Sequence, residues 1–311
     1  MSAPGRPGRS GLPGRSGLPG SPVEVWRLPE EEWRAGSRAL TWTVGPEGEL
    51  AVLVVPERCA APAGSWPYAV LPFDGEVLVH DPQGERRVPL EGVGVSPDLL
   101  ALLPGGRVLL AGRRAEEPAD GWERNGLVFG PDGRPGRELQ LGDDVRALIT
   151  DRDGRIWLAF GDEGNYGDNP IGRFGLVGLD SAGRTVWRPS VGELPDDPLE
   201  GLAAATEGRR TWLAWYGDNS HLTGIDLTAG KPTAMRLPAR QPVGFAIAGN
   251  RAVFLRPDGE LIRCERESRK GWREVGRQRV DVPGELDRER AYGRDGVLWF
   301  RSGNGWYRVE A

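Results

Sequence analysis

Three stretches of this sequence gather oxygen-bearing side chains. RRAEEPADGWER carries Glu116, Glu117, Asp120, Trp122 and Glu123, and GDEGNYGDN carries Asp162, Glu163, Asn165, Tyr166, Asp168 and Asn169. YGDNSH carries Asp218, Asn219, Ser220 and His221. Asp143 and Asp144, and then Glu193, Asp196 and Asp197, lie between them. Carboxylates and amides converging from separate segments bind a hard cation such as calcium through oxygen. They also bind a cationic or polyhydroxylated ligand directly. The plainer alternative is that Asp, Asn and Gly are the residues turns are made of.

Proton-transfer chemistry has less to work with. A lyase needs a histidine paired with a carboxylate, and the chain has only His80 and His221. His80 lies in EVLVHD, which alternates like a strand and reads as structural. His221 opens a strand beside Asp218 and is the better candidate. There is no nucleophile elbow, phosphate-cradling loop or metal-spaced Cys/His cluster.

The elements that position these residues are short strands. The chain has 311 residues, 38% hydrophobic, with 12 Trp, which is enough apolar material for a sizeable core. Its 47 Gly and 27 Pro supply turn chemistry for many tight connections. One pattern repeats at a spacing of about 45 residues, a period of propellers and solenoids. It is clearest from Val145: VRALITD alternates, Arg152-Asp153-Gly154 turns, and RIWLAFG returns. The loop GDEGNYGDNPIGR leads to FGLVGLD; SAGR turns again before TVWRPS. LLALLPG, RVLLAGR, NGLVFGP and RELQLG precede this unit in the same order; GLAAATE, RTWLAWYG, HLTGIDLT and TAMRLP follow it. A fifth unit runs from VGFAIAG to WREVGRQRV, and a looser first one from ALTWTVG to RRVPLE.

The last unit offers only RAYGRDG, VLWFRSG and GWYRVEA, and so lacks an outer strand. VEVWRLP, from Val23 to Pro29, reads as an orphan strand ahead of the first unit. If the orphan completes the last unit, both irregularities are explained and an aggregation-prone sheet edge disappears. The expectation is an all-β, six-bladed β-propeller over residues 23–311, closed by its N-terminal strand. Seven blades is the alternative, if Ser37 to Glu91 hides an extra one. Trp157, Trp212 and Trp299 recur in register in second strands and read as packing between blades.

From Gly5 to Pro22 glycine occupies every third position. That is collagen spacing, but six triplets are too few for a stable triple helix. Residues 1–22 read as a disordered, basic Gly/Pro/Arg tail.

The formal net charge of −5 shows no basic excess, so a nucleic-acid partner is not expected. The Arg-rich run CERESRKGWREVGRQR interleaves Glu and reads as a solvated outer hairpin. No apolar run reaches transmembrane length, no secretory signal is evident, and Cys59 and Cys264 make no disulfide framework. A cytoplasmic location is therefore expected.

DVRALITDRDGRIWLAF resembles the propeller repeat found in sensor domains of two-component regulators. The longer run from Asn125 to Trp187 is similar to a group of uncharacterised actinobacterial β-propeller proteins. The resemblance implies the fold and no activity, since fold alone does not supply function. The gluconolactonase family's spacing of metal ligands is not recognisable. The functional expectation is a binding or interaction module of unknown protein partner or small ligand. Its face is formed by Glu116, Glu117, Trp122, Asp162, Glu163, Asn165, Tyr166, Asp218, Asn219 and His221. No cofactor is expected beyond a possible divalent cation; the alternative is a metal-dependent hydrolase or lyase on the same face.

Overall fold

The computed structural model describes residues 20–61, 69–268 and 271–311. The expected tail lies outside the described residues except for its last three. Among the described residues the chain is all-β and propeller-like, and its strands pair as antiparallel four-stranded meanders.

Strand β1 (Val23–Arg27) is followed by a short helix, α1 (Glu30–Arg34). The first unit is β2 (Ser37–Val44), β3 (Leu50–Pro56), β4 (Phe73–Asp81) and β5 (Gly84–Val93). The second is β6 (Leu99–Leu103), β7 (Arg107–Ala111), β8 (Gly126–Phe129) and β9 (Pro135–Leu139). The third is β10 (Val145–Thr150), β11 (Ile156–Phe160), β12 (Leu176–Leu179) and β13 (Thr185–Trp187), with helix α2 (Asp162–Tyr166) between β11 and β12. The fourth is β14 (Glu200–Glu207), β15 (Arg210–Tyr216), β16 (Ser220–Ile225) and β17 (Thr233–Arg236). The fifth is β18 (Gly244–Ala248), β19 (Arg251–Leu255), β20 (Glu260–Ser268) and β21 (Gly271–Arg279). The last strands are β22 (Leu286–Arg294), β23 (Val297–Ser302) and β24 (Gly305–Glu310). β1 pairs antiparallel with β24 and becomes the outer strand of this sixth unit. Among the described residues the stretch from Ser37 to Glu91 belongs to one four-stranded sheet.

The strand sequences are nearly continuous in apolar residues because both faces are covered. In β6, Leu100 and Leu102 enter a cluster shared with the first unit, while Leu99, Ala101 and Leu103 enter one shared with the third. The two-residue period of a strand sends alternate side chains to opposite neighbours. Further clusters join the third unit to the fourth, the fourth to the fifth, the fifth to the sixth and the sixth to the first. The in-register tryptophans sit in these seams: Trp157 between units three and four, Trp212 between four and five, Trp299 between six and one. Trp157 and Trp212 also lie over Gly178 and Gly224, their cross-strand partners, where a Cβ would stand 2.7 and 2.5 Å from the ring.

The first strands of the units touch in succession, β2 on β6, then β10, β14, β18 and β22, and β22 returns to β2. Near their C-terminal ends the space between them closes. β14 and β22 pair directly in parallel at Ala205–Gly293 and Thr206–Arg294. Gly293 permits this approach, because a Cβ there would stand 1.9 Å from the Phe245 carbonyl oxygen and 2.8 Å from Ala205 Cβ. Beside it, the buried Arg294 guanidinium donates to Val44 O from Nε (3.0 Å) and Nη2 (2.8 Å). Its Nη1 donates to Thr206 Oγ1 (3.0 Å) and to Thr150 O. Four units are thus tied by one side chain. Burial pulls the Arg294 guanidinium down to about 10, which leaves it protonated at neutral pH.

Two outcomes are expected. Arg294→Met keeps the bulk but leaves two buried carbonyls and a hydroxyl without their donor; chemical denaturation should show a loss of about 2–4 kcal/mol. Deleting residues 1–28 strips β1 from β24 and uncovers a sheet edge. The truncated protein should sediment as aggregate at concentrations where the full chain is dispersed.

Candidate functional site

The loops joining second to third strands, and those joining one unit to the next, project at one end of the strand ring. In the third unit the second-to-third loop is not plain coil: Asp162–Tyr166 forms α2. It packs tightly, since a Cβ on Gly164 would stand 2.3 Å from the Asp143 carbonyl oxygen. Asn169 is buried and accepts the Ile171 N–H (2.9 Å), shaping the return of the loop. Asn165 Nδ2 donates to Leu199 O (2.7 Å) and fastens α2 to the segment entering the fourth unit.

Three carboxylates of this end, Asp143, Asp144 and Glu163, are committed to arginines. Arg114 takes Asp143 with both Nε (2.9 Å) and Nη2 (3.2 Å), and its Nη1 reaches Glu163 on the neighbouring loop. Asp143 also accepts the Ala115 N–H (2.9 Å). Asp144, buried and at φ 53°, faces Arg146 Nε at 2.9 Å. Burial pushes the Asp144 carboxyl above the usual carboxylate range; Arg146 and Arg114 pull against this, and Glu163 and Asp143 add like-charge repulsion.

His221 is buried, stacked on Trp215 with ring centroids 4.5 Å apart. Its carboxylate partner is Asp196 (Nε2 to Oδ2, 2.6 Å), not Asp218. The His221 hydrogen bond holds the Asp196 carboxyl below its ordinary range. Asp196 Oδ2 also accepts the Asn219 N–H (3.3 Å), and Arg236 donates to Asn219 Oδ1 (3.2 Å). This pair clamps the inter-unit loop onto β16, and the other ring nitrogen, Nδ1, is buried without a partner. His221 thus faces Trp215 and Asp196 and is only 5% exposed.

The remaining expected residues spread out. Glu116, Glu117, Asp162 and Asp218 are exposed, and Trp122 is half-buried. Among the described residues no three His, Cys, Asp or Glu side chains gather to hold a metal ion. Of the residues expected to supply oxygen ligands, Glu163 reaches Arg114, Asn165 donates to Leu199 O, and Asp162 and Asp218 are exposed.

Two open grooves mark this end. One, of about 450 Å³, lies between units one and two and is lined by Leu71, Val95, Arg114, Glu116 and Glu123. The other, of about 430 Å³, lies between units three and four and is lined by Tyr166, Phe174, Val191, Leu194, Asp196 and Asp197. Tyr166 is 75% exposed and Val191 fully so. Arg188 lies over the Phe174 ring at 4.2 Å. Phe174, Val191 and Leu194 were not among the expected site residues. Their one signal is apolar residues in the otherwise polar connections GRFG and SVGELPDD.

No family model matches the chain, and no curated protein matches it. Among solved structures, a chain of the mitotic checkpoint complex is similar over 100% of this chain and 98% of its own, at 11% identity and a TM-score of 0.51. A gluconolactonase from Xanthomonas campestris is similar over 96% of this chain and 99% of its own, at 15% identity and a TM-score of 0.48. The PQQ-bound aldose sugar dehydrogenase of Streptomyces coelicolor is similar over 94% and 98%, at 14% identity and a TM-score of 0.48. At these identities the likeness concerns the fold alone. No helix among the described residues is long and apolar enough to cross a membrane.

Asp144 generates a pH-dependent expectation. A carboxyl whose folded pKa is raised favours folding when protonated and opposes it when charged. Asp144→Asn, which tolerates the positive φ, should melt above the wild type at pH 7. The gap should close as pH falls through the folded and then the unfolded carboxyl range. Melting curves at stepped pH check this.

Proposed function

We propose that residues 23–311 form a closed six-bladed β-propeller that serves as a binding module, and that its partner is cationic and docks on the loop end. The reading rests on the groove between units three and four, where exposed Tyr166 and Val191 stand beside Asp196 and Asp197. Six shared cores, the last joining the sixth unit to the first, support the closed ring.

Exposed aromatic and aliphatic side chains rimmed by charge are the anatomy of a recognition surface. Asp162, Asp168, Asp197 and Asp218 make no ion pair among the described residues, and of these Asp197 lines the groove together with the exposed Arg173 and the His221-bound Asp196. Such a rim attracts an arginine- or lysine-bearing ligand and accelerates its encounter. Glu116, Glu117 and Trp122 extend the same end towards the first groove. A metal-dependent hydrolase or lyase would need carboxylates at coordination distance from one another; the loop carboxylates are paired with arginine or held apart. A cytoplasmic setting belongs to the proposal, with Cys59 and Cys264 standing unpaired on different units.

An array of arginine-containing peptides, read by fluorescence polarisation against the purified full chain, tests this. Binding of selected peptides should weaken with added salt. It should fall at least tenfold in Tyr166→Ala combined with Asp197→Asn, while the melting temperature of this surface variant is unchanged. Equal binding by wild type and variant, or no peptide bound, would overturn the reading.

A further inference from the structure

β22 carries two arginines into the ring, and their charges are met differently. Arg294, at the closed end, has every donor group engaged by carbonyl and hydroxyl oxygens. Arg290, four residues nearer the loop end, is 9% exposed. Its Nη1 donates to Thr41 Oγ1 (2.6 Å), which donates onward to Asp98 O (3.2 Å). Its Nε is buried with no partner, and it makes no ion pair among the described residues.

The nearby acids are already committed. Asp287 Oδ1 accepts the backbone N–H groups of Glu289 (2.9 Å) and Arg290 (3.2 Å), and its Oδ2 accepts the Trp42 indole (3.3 Å). Glu289 is largely exposed and lies 3.8 Å from Arg113. Asp144 is held by Arg146. Arg290 thus presents a buried cation lacking a counter-ion and a buried N–H lacking an acceptor, both costly in a low-dielectric interior.

Arg290 also lines a cavity of about 20 Å³, with Arg146, Glu289, Leu99, Leu202 and Val243. A space of that size holds one water-sized group. It sits at the mouth of the blind channel that Arg294 closes at its other end.

We infer that this cavity is an anion site. It takes one compact acceptor, either a halide or the carboxylate end of a small organic acid, on Arg290 Nε; the other charged groups lining the cavity, Arg146 and Glu289, already face Asp144 and Arg113. Tetrahedral sulfate and phosphate are larger than the one water-sized space beside Arg290. The assignment does not depend on the groove between units three and four.

Crystals of the full chain soaked in bromide should show an anomalous peak at hydrogen-bond distance from Arg290 Nε, and formate-soaked crystals a planar feature in the same place. In solution, bromide or formate, exchanged for sulfate at constant ionic strength, should raise the melting temperature saturably. Arg290→Gln should reduce that affinity at least tenfold. Water alone in the cavity, a bromide peak without a saturable response in solution, or equal responses in wild type and variant would each overturn the site. If Arg290→Gln does not fold, the soaks and the wild-type titration decide. A bromide response without a formate response assigns the site to halide; the reverse assigns it to carboxylate.

Discussion

One buried guanidinium holds the inner ends of four units in register. Arg294 reaches from the last unit to the first, third and fourth, and its donors meet backbone and hydroxyl oxygens rather than carboxylates. A buried ion pair would face a large desolvation cost on both partners; here only one charge is buried, and oxygens already fixed by the sheets solvate it. The direct pairing of β14 with β22 and the missing side chain at Gly293 follow from the same closure. With that end of the channel narrowed, the space among the first strands opens towards the loop end.

The loop end is divided by charge. Around the channel mouth, arginines and carboxylates interlock across units: Arg114 with Asp143 and Glu163, Arg146 with Asp144. Further out, carboxylates without partners surround exposed aromatic and aliphatic side chains. The centre therefore pairs its charges, whereas Asp162, Asp168, Asp197 and Asp218 further out make no ion pair among the described residues. Arg290 departs from this pattern, because its charge lies deep in the compensated region and is itself uncompensated.

Much of the fold was legible in the sequence. The alternation and turn spacing located the strands, and the mismatch between an orphan VEVWRLP and a three-stranded last unit pointed to the β1–β24 pairing. The DRDG motif proves structural: Asp151 accepts the N–H groups of Asp153 and Arg155 and the Trp157 indole, so its spacing reports a turn that anchors a seam tryptophan. Arg294 was not legible, because an arginine before Asp-Gly looks like any turn residue until the strands converge on it. The same applies to His221, whose sequence neighbour Asp218 was the natural partner while the folded chain supplies Asp196. Arg114 neutralises carboxylates from other segments, which composition along the chain cannot reveal. Residue types marked the loop-end segments as rich in acids, but only three-dimensional pairing shows which of them meet arginine.

The β1–β24 pairing also sets a timetable. β1 is made early, but its partner strand is translated only after the residues between Arg27 and Gly305 have emerged. At ribosomal speeds of about 5–20 residues per second that interval is roughly 15 seconds to a minute. Until then β1 is a strand without a sheet, and the early units have no sixth neighbour to complete the seam at Trp42. Throughout that interval the nascent chain carries both an unpaired β1 and an uncovered Trp42 face, and the seam between the sixth and first units forms only once β24 is made.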